Sequence, residues 1–318
     1  MDPSVIVHAE EESRWAGPTR GGPTRVGPAT PEAGGPTAIS RRRLVLRRFR
    51  RRKSAMAGVV ALVLLFAMAY LGPLVDPWRY NQLDFLSVLS APSGSHWFGT
   101  TQTGADVFAL TMRGMQKSLI VGLLAAVLAT GMAAVVGSSA GYFGGWTDRA
   151  LMALVDLLLV LPGFLIIAIL SPSFRGRTWL LFVLLLALFL WAITARIVRG
   201  LTLSLKEREF VQAARFMGVP GWKIIVRHVL PNMASLLIVD ATVNVSGAIS
   251  AEVLLSFFGF GVQPPDVSLG TLIADGSPAA LTYPWQFYFA ASVLVALLLS
   301  VNLVGDGLRD ALDPGSAR

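Results

Sequence analysis

Four polar side chains lie in stretches of the sequence that are otherwise apolar, and each carries a group that could do chemistry. They are Asp156, Asp240, Asn244 and Glu252. Ionisable groups are costly inside a bilayer, so each requires a role. Asp156 either lines a path or bonds to a neighbouring helix. Asp240 and Asn244, at i and i+4, share a helix face. Asp240 either faces an aqueous conduit, where it would favour cationic groups, or is braced by a partner. Glu252 is expected to be structural.

The patterns that would make these groups catalytic are missing from the sequence. There is no G-x-x-x-x-G-K-[ST] phosphate loop, no G-x-S-x-G elbow with a plausible base and no H-E-x-x-H. With no cysteine and three widely separated histidines, we predict no metal site. An intramembrane hydrolase would have to use Asp156 with Asp240. A secondary transporter or channel would have inverted repeats and broken helices with several buried charges, which the sequence does not indicate.

The composition indicates a membrane protein. The chain has 318 residues, of which 54% are hydrophobic and 14% charged, and its mean hydropathy is +0.61. The formal net charge is +8. Its basic residues cluster in particular loops without interleaved aromatic residues, which argues against a nucleic-acid partner and for the positive-inside rule.

The elements that must position the polar groups are six apolar stretches, each long enough to span a bilayer as a helix. They cover residues 55–75, 118–142, 150–170, 179–198, 233–258 and 285–304. The fold class is therefore an all-α membrane protein with six transmembrane helices. Counting spans places both termini and the 199–231 loop on one side, and the arginine-rich loops indicate that this side is the cytoplasm.

The sequence divides into five regions. Residues 1–40 are predicted to be a disordered cytoplasmic tail, because they bury too little apolar surface to fold. The others are a basic segment with the first helix (41–76), an extracytoplasmic loop (77–117), a five-helix core (118–314) and a short tail (315–318). Arg41 to Lys53 could also hold anionic lipid. The alternative for the first helix is a signal peptide, since Ala67-Met68-Ala69 has the form of a cleavage site. In a second outer segment, residues 269–274 are too short to span and are expected to dip partway into the membrane.

The longest polar stretch of the apolar region is residues 204–231, here called the polar segment. It reads as two short helices joined by a tight turn. Ser204 and Glu207 have the spacing of a capping box, which predicts a helix start. Gly218 is expected to take a positive φ at the turn, and Pro231 to bend the chain into the next span. Small side chains at Ala213 and Ala214 would leave a bare spot that another protein could approach.

The polar segment resembles the EAA loop of ABC-importer permeases, the cytoplasmic coupling segment that docks on an ATPase subunit. Gln212-Ala213-Ala214, Gly218 and Leu230-Pro231 carry the motif, and the flanking SLKEREFVQAAR and RHVLPN are similar to the oligopeptide/dipeptide/nickel branch. Gln212 replaces the usual glutamate. His228 replaces a common isoleucine, although the peptide branch often has histidine there. The alternative is a plain amphipathic loop.

Further motifs extend this resemblance over residues 41–314. They are HWFGTTQTGADVFA before the second span, YFGGW after it, SFFGFGVQPP after the fifth span, and the NLVGDGLRDALDP ending. In the first, Thr101 replaces the usual aspartate and Ala105 the usual arginine, which weakens any charge-pair role of that motif.

The resemblance implies a type I ABC importer permease fold with cytoplasmic EAA coupling helices. Such a subunit forms half of a translocation pathway for peptides, or for another solute such as a nickel chelate. The resemblance implies no cofactor in this chain, because the partner ATPases bind ATP and Mg. The implied partners are a paralogous permease, two ABC ATPase subunits or domains, an extracytoplasmic solute-binding protein and membrane lipid. The implied ATPase-coupling residues are Glu207, Gln212, Ala213, Ala214, Gly218, His228, Leu230 and Pro231, and the candidate pathway residues are Asp156, Asp240 and Asn244.

Overall fold

A computed structural model describes residues 41–171 and 179–312, which are largely helical and contain no strand. In chain order the helices are α1 (Arg41–Arg51), α2 (Lys53–Val75), α3 (Val107–Phe143), α4 (Gly145–Val160), α5 (Gly163–Leu170), α6 (Leu180–Lys206), α7 (Glu209–Phe216), α8 (Gly221–Ile224), α9 (Leu230–Asn232), α10 (Ala234–Phe257), α11 (Leu269–Gly276) and α12 (Trp285–Leu312). The prediction of an all-helical chain is confirmed for this part. The two predicted tails, 1–40 and 315–318, lie outside the described residues.

Five of these helices are long and apolar enough to cross a membrane, namely α2, α3, α6, α10 and α12. A sixth span is formed if α4 and α5 are counted together, but they meet at an angle of 78°. The prediction of one continuous helix over residues 150–170 is therefore wrong. Pro162 has no amide hydrogen and disfavours helical backbone in the preceding residue, and Leu161 accordingly adopts φ −70° and ψ 131°.

The second span begins earlier than predicted, at Val107 instead of Ser118, because Asp106 caps it. One Asp106 oxygen accepts a hydrogen bond from the Ala109 amide at 2.8 Å. The other lies 2.9 Å from Nδ1 of the buried His96. On its other side, His96 places Nε2 3.4 Å from an Asp84 carboxylate oxygen. This polar cluster orders the loop before α3. Within the loop, the Leu86 amide donates to Asp84 and lowers the pKa of that carboxyl.

Small residues on α3 let its neighbours approach closely. A Cβ added at Gly137 would lie 2.5 Å from the carbonyl oxygen of Ala195 on α6, and one at Gly141 would lie 2.8 Å from that of Arg199. On another face, Gly122 packs against Ile249 of α10. Helices in a membrane gain little from hydrophobic association, so this close packing supplies the contact energy. It makes α3 the central helix of the fold.

The short α11 is held against the spans by a buried carboxylate. Glu252 of α10 is fully buried and accepts hydrogen bonds from Ser118 of α3 at 3.0 Å and from Ser256 at 2.7 Å. The Ser118 hydroxyl in turn accepts from the Leu269 amide at the start of α11. Glu252 thus has the structural contacts expected of it, and protein covers the short segment at residues 269–274.

Candidate functional site

The polar segment begins differently from its predicted start. α6 continues through Ser204 to Lys206, so the predicted capping box at Ser204 and Glu207 is wrong. Inside a continuous helix the backbone donors of this turn are already paired, and no cap is needed. The break comes at Arg208, which is extended (φ −74°, ψ 142°), and α7 starts at Glu209. Glu207 therefore terminates α6 instead of capping α7.

The turn between α7 and α8 has the geometry predicted for Gly218. Its φ is +75°. The Gly218 amide donates to the Arg215 carbonyl at 3.0 Å, and the Val219 amide donates to the Ala214 carbonyl at 3.1 Å. These two bonds form a Schellman motif, which requires a left-handed residue at the Gly218 position. No atom lies within 4 Å of an added Cβ, so the constraint on this residue is its backbone conformation.

One face of the polar segment is packed onto the helix ends of its own chain. Ala214 is only 2% exposed and lies in a cluster with Val198 of α6, Val211, Ile224 and Met233. The prediction that both alanines form a bare spot for another protein is therefore wrong for Ala214, although Ala213 is exposed. The ends of α6 and α10 thus support the polar segment.

The second half of the polar segment contains a wide helical turn. Residues Ile225–Val229 form a π-helix, in which the Leu230 amide donates to the Ile225 carbonyl. Pro231 follows after Leu230, and its ring has no amide hydrogen and clashes with the carbonyl four residues before it. A wider turn at this point accommodates that clash. His228 lies within the π-helix, half-buried, and its carbonyl accepts from Asn232 Nδ2 at 2.6 Å.

The opposite face exposes large apolar side chains that the sequence reasoning did not single out. Phe216 is 89% exposed, Met217 76% and Trp222 61%. They flank the Gly218 turn on both sides. Exposed apolar groups of this size, rimmed by charged residues, mark surfaces that bind another protein. Their placement beside a turn glycine was the available sequence signal.

Gln212 lies beside a cavity at the junction of α6 and α7. Its Nε2 donates to the Glu207 carbonyl at 3.3 Å and to the Glu207 carboxylate at 3.4 Å. The cavity has a volume of about 520 Å³ and is lined by Tyr142, Lys206, Glu207, Val211, Gln212, Arg215 and Phe216. The motif residues Glu207 and Gln212 are thus brought together, next to one of the exposed apolar side chains.

A second polar group lies between the spans. The Asp240 carboxylate accepts hydrogen bonds from Thr194 of α6 at 2.7 Å, from Thr130 of α3 at 2.9 Å and from Asn244 at 2.9 Å. The structure therefore joins Asp240 and Asn244 as predicted, and it adds two threonines that were missed. Threonine in an apolar helix was the signal for them. Asp240 is half-buried, and whether it also faces a conduit stays a prediction.

Asp156 has a different partner. It forms an ion pair with Arg196 of α6, so the bond to a neighbouring helix, one of its two alternatives, is present. Closer to the polar segment, Asp148 of α4 binds Nε and Nη2 of Arg199 with both oxygens. Two Asp–Arg pairs thus connect α4 to α6. Among the described ranges, no group of three or more His, Cys, Asp and Glu side chains is arranged so that it could hold a metal ion.

Comparison with known proteins gives consistent matches. Residues 133–318 match the family model described as "Binding-protein-dependent transport system inner membrane component", and residues 40–92 match "N-terminal TM domain of oligopeptide transport permease C". The oligopeptide transport system permease protein OppC of Mycobacterium tuberculosis (strain ATCC 25618 / H37Rv) is 57% identical over 278 residues, covering 87% of this chain and 96% of that protein. OppC of Bacillus subtilis (strain 168) is 37% identical over 90% of this chain and 95% of its own length. A putative peptide permease protein of Brucella suis is 39% identical over 91% of this chain and 95% of its own length.

Proposed function

This chain belongs to the family of binding-protein-dependent transport system inner membrane components, and we propose that it forms half of the translocation pathway of an ATP-driven peptide importer. The family match confirms the resemblance seen in the sequence. The similarity to oligopeptide permeases supports a peptide as the transported solute. The chain itself would hydrolyse nothing, since ATP and Mg would be bound by partner subunits.

One observation carries the coupling part of the proposal, namely the two-faced construction of the polar segment. Its buried face, centred on Ala214, rests on α6 and α10, while Phe216, Met217 and Trp222 project from the other face. A partner that grips the projecting face can therefore move the spans through the packed face. We assign the projecting face to an ABC ATPase subunit.

The remaining partners follow from this assignment. One chain supplies one such face, whereas ATP-driven closure needs two gripping ATPases, so a second permease subunit must supply the other. An extracytoplasmic solute-binding protein would deliver peptide at the opposite end of the spans. In this arrangement the polar segment and both termini lie in the cytoplasm, as the distribution of basic residues predicts.

The orientation has a direct test, because the natural chain contains no cysteine. Cysteine at Gly94, in the loop before α3, should react with a membrane-impermeant thiol reagent in intact cells. Cysteine at the exposed Trp146, at the start of α4, should react only after the membrane is permeabilised. Reaction of the Trp146 variant from outside would reverse the orientation.

The coupling assignment is tested by truncating the projecting face. In Phe216→Ala/Met217→Ala, the amount of ATPase subunit that copurifies with the permease should fall at least tenfold. Large side chains buried at the centre of an interface contribute about 2 kcal/mol or more each. Leu281→Ala removes a side chain that is 98% exposed and lies between α11 and α12, outside the polar segment, and it is the matched control. Copurification with the ATPase and ATP-dependent uptake of labelled peptide into vesicles are measured together. Equal ATPase retention in both variants would refute the assignment.

A further inference from the structure

Helix α1 has a dense basic surface that the proposed coupling to an ATPase does not use. Seven of its eleven residues are arginines, and none is acidic. Among the side chains described, Arg43, Arg47, Arg50 and Arg51 are exposed. Between them lie two exposed apolar side chains, Leu44 at 39% and Leu46 at 56%. The exposed surface of α1 is therefore both cationic and apolar.

This surface is held in a fixed direction by the end of α12. Phe49, on the inner side of α1, lies where a side chain at Gly307 would have to go, with 3.0 Å between its ring and the added Cβ. Arg52, directly after α1, forms an ion pair with Asp310 at 2.6 Å. Its extended backbone (φ −82°, ψ 110°) separates α1 from the span α2. The exposed arginines therefore do not belong to a loose linker.

The position of α1 decides which ligand fits it. Only Arg52 separates α1 from Lys53, where the membrane span begins. A short helix at that place lies at the level of the lipid headgroups, where apolar side chains reach the acyl boundary and basic ones reach phosphate. Guanidinium groups bind phosphate oxygens with two parallel hydrogen bonds. We propose that Arg43, Arg47 and Arg50 bind the headgroups of anionic phospholipids, with Leu44 and Leu46 in the adjoining apolar layer.

Two other acidic ligands could neutralise the positive charge of α1. Residues 1–40 include the run Glu10-Glu11-Glu12, and a partner protein could present an acidic surface. Neither explains why leucines are exposed between the arginines, next to a span. The bilayer satisfies both features at once. The proposal does not depend on the solute that is transported.

The test measures the lipid selectivity of the full chain in vesicles of phosphatidylcholine. Spin-labelled phosphatidylglycerol and spin-labelled phosphatidylcholine are added separately, and the protein-associated fraction of each is determined by electron spin resonance. The wild type should select phosphatidylglycerol several-fold, and added salt should reduce this preference. In Arg43→Gln/Arg47→Gln/Arg50→Gln the ratio should fall markedly toward one, because three of the guanidinium groups that would attract anionic lipid are removed. The matched triple lysine variant should keep most of the preference.

Every outcome decides the proposal. No selectivity in the wild type, or equal selectivity in the glutamine variant, would overturn it. A chain that lacks residues 2–40 should behave as the wild type does. If selectivity appeared only after that deletion, the acidic run of residues 1–40 would be the occupant in the full chain, and the lipid assignment would be wrong. The substituted side chains are exposed, so membrane insertion of the variants should be unchanged, and protease protection of α2 checks this.

Discussion

Replacing Gly218 with valine should disconnect ATP hydrolysis from peptide uptake. The residue has φ +75°, a conformation that costs an L-residue about 1 to 3 kcal/mol and is worst for β-branched side chains. Space is not the problem, because nothing lies within 4 Å of an added Cβ. The strain can be relieved only by opening the two turn bonds at Arg215 and Ala214, and that opening would displace the neighbouring Phe216 and Met217.

The size of the effect follows from the strain. If about 2 kcal/mol must be supplied to hold the docking conformation, the affinity for the ATPase falls about 30-fold. A series of substitutions at Gly218 with increasing backbone strain tests this cause. Asparagine tolerates the left-handed region and should be nearly neutral, alanine should lose several-fold, and valine should lose most. Gly200→Val is the matched control, because Gly200 also has open space around it but lies within α6 without a positive φ.

The assay is ATP hydrolysis and labelled-peptide uptake measured in the same reconstituted vesicles, with ATPase retention measured by copurification. We expect uptake per ATP hydrolysed, or ATPase retention, to decline in the order asparagine, alanine, valine, with Gly200→Val close to wild type. If the valine protein retained and coupled the ATPase as well as the asparagine protein does, the turn conformation would have no part in transmission.

Three further predictions concern the polar groups of the spans and of the loop before α3. Asp240→Asn should change the preference between cationic and neutral peptides while assembly stays near normal; a loss of assembled complex would make Asp240 a brace only. Asp148→Asn leaves the partly buried Arg199 without its carboxylate and should destabilise the α4–α6 contact by about 1 to 3 kcal/mol, seen as a lower midpoint of thermal unfolding in detergent. Because the pKa of Asp84 is lowered in the folded loop, its stabilising contribution is present above the ordinary carboxyl pKa and is lost as pH falls through the lowered value. Hydrogen exchange in residues 77–106 should therefore rise at acid pH in the wild type, and Asp84→Asn should flatten that rise; an unchanged pH profile in the variant would exclude Asp84 as the titrating group.

Features that depend on local chemistry could be predicted from the sequence. Apolar runs indicated the spans, and a glycine between two short amphipathic stretches indicated the positive φ at residue 218. Features that depend on competition between neighbouring elements could not. The pattern at Ser204 and Glu207 suits a helix start, but the preceding helix simply continues through it. Hydropathy also cannot distinguish a straight span from one broken at Pro162, since the two halves together are long and apolar enough to pass as one span.

The hydrogen-bond partners of the buried polar groups were still harder to predict from the sequence. Asp240 was identified as an unusual charge, yet its donors Thr130 and Thr194 lie 110 and 46 residues away along the chain. The exposure of Phe216 and Met217 was equally hard to predict, because a large apolar residue in a membrane protein is normally expected to face lipid or the core. The face that a short helix turns outward depends on what packs beneath it, and here that is Ala214.

The close contact of α3 with α6 has a mechanical consequence. At Gly137 and Gly141 the facing carbonyls leave no room even for a methyl group, so the two helix backbones lie in direct contact there. We expect the two helices to move as one rigid body. α3 has 37 residues and is roughly 55 Å long, so a tilt of about 10° applied at one end displaces the other by roughly 10 Å. The pair ends at non-helical residues, at Gly144 after α3 (φ +66°) and at the extended Arg208 after α6, and we expect the joints there. Under the proposed function, the pair would carry a push on the polar segment to the far side of the membrane.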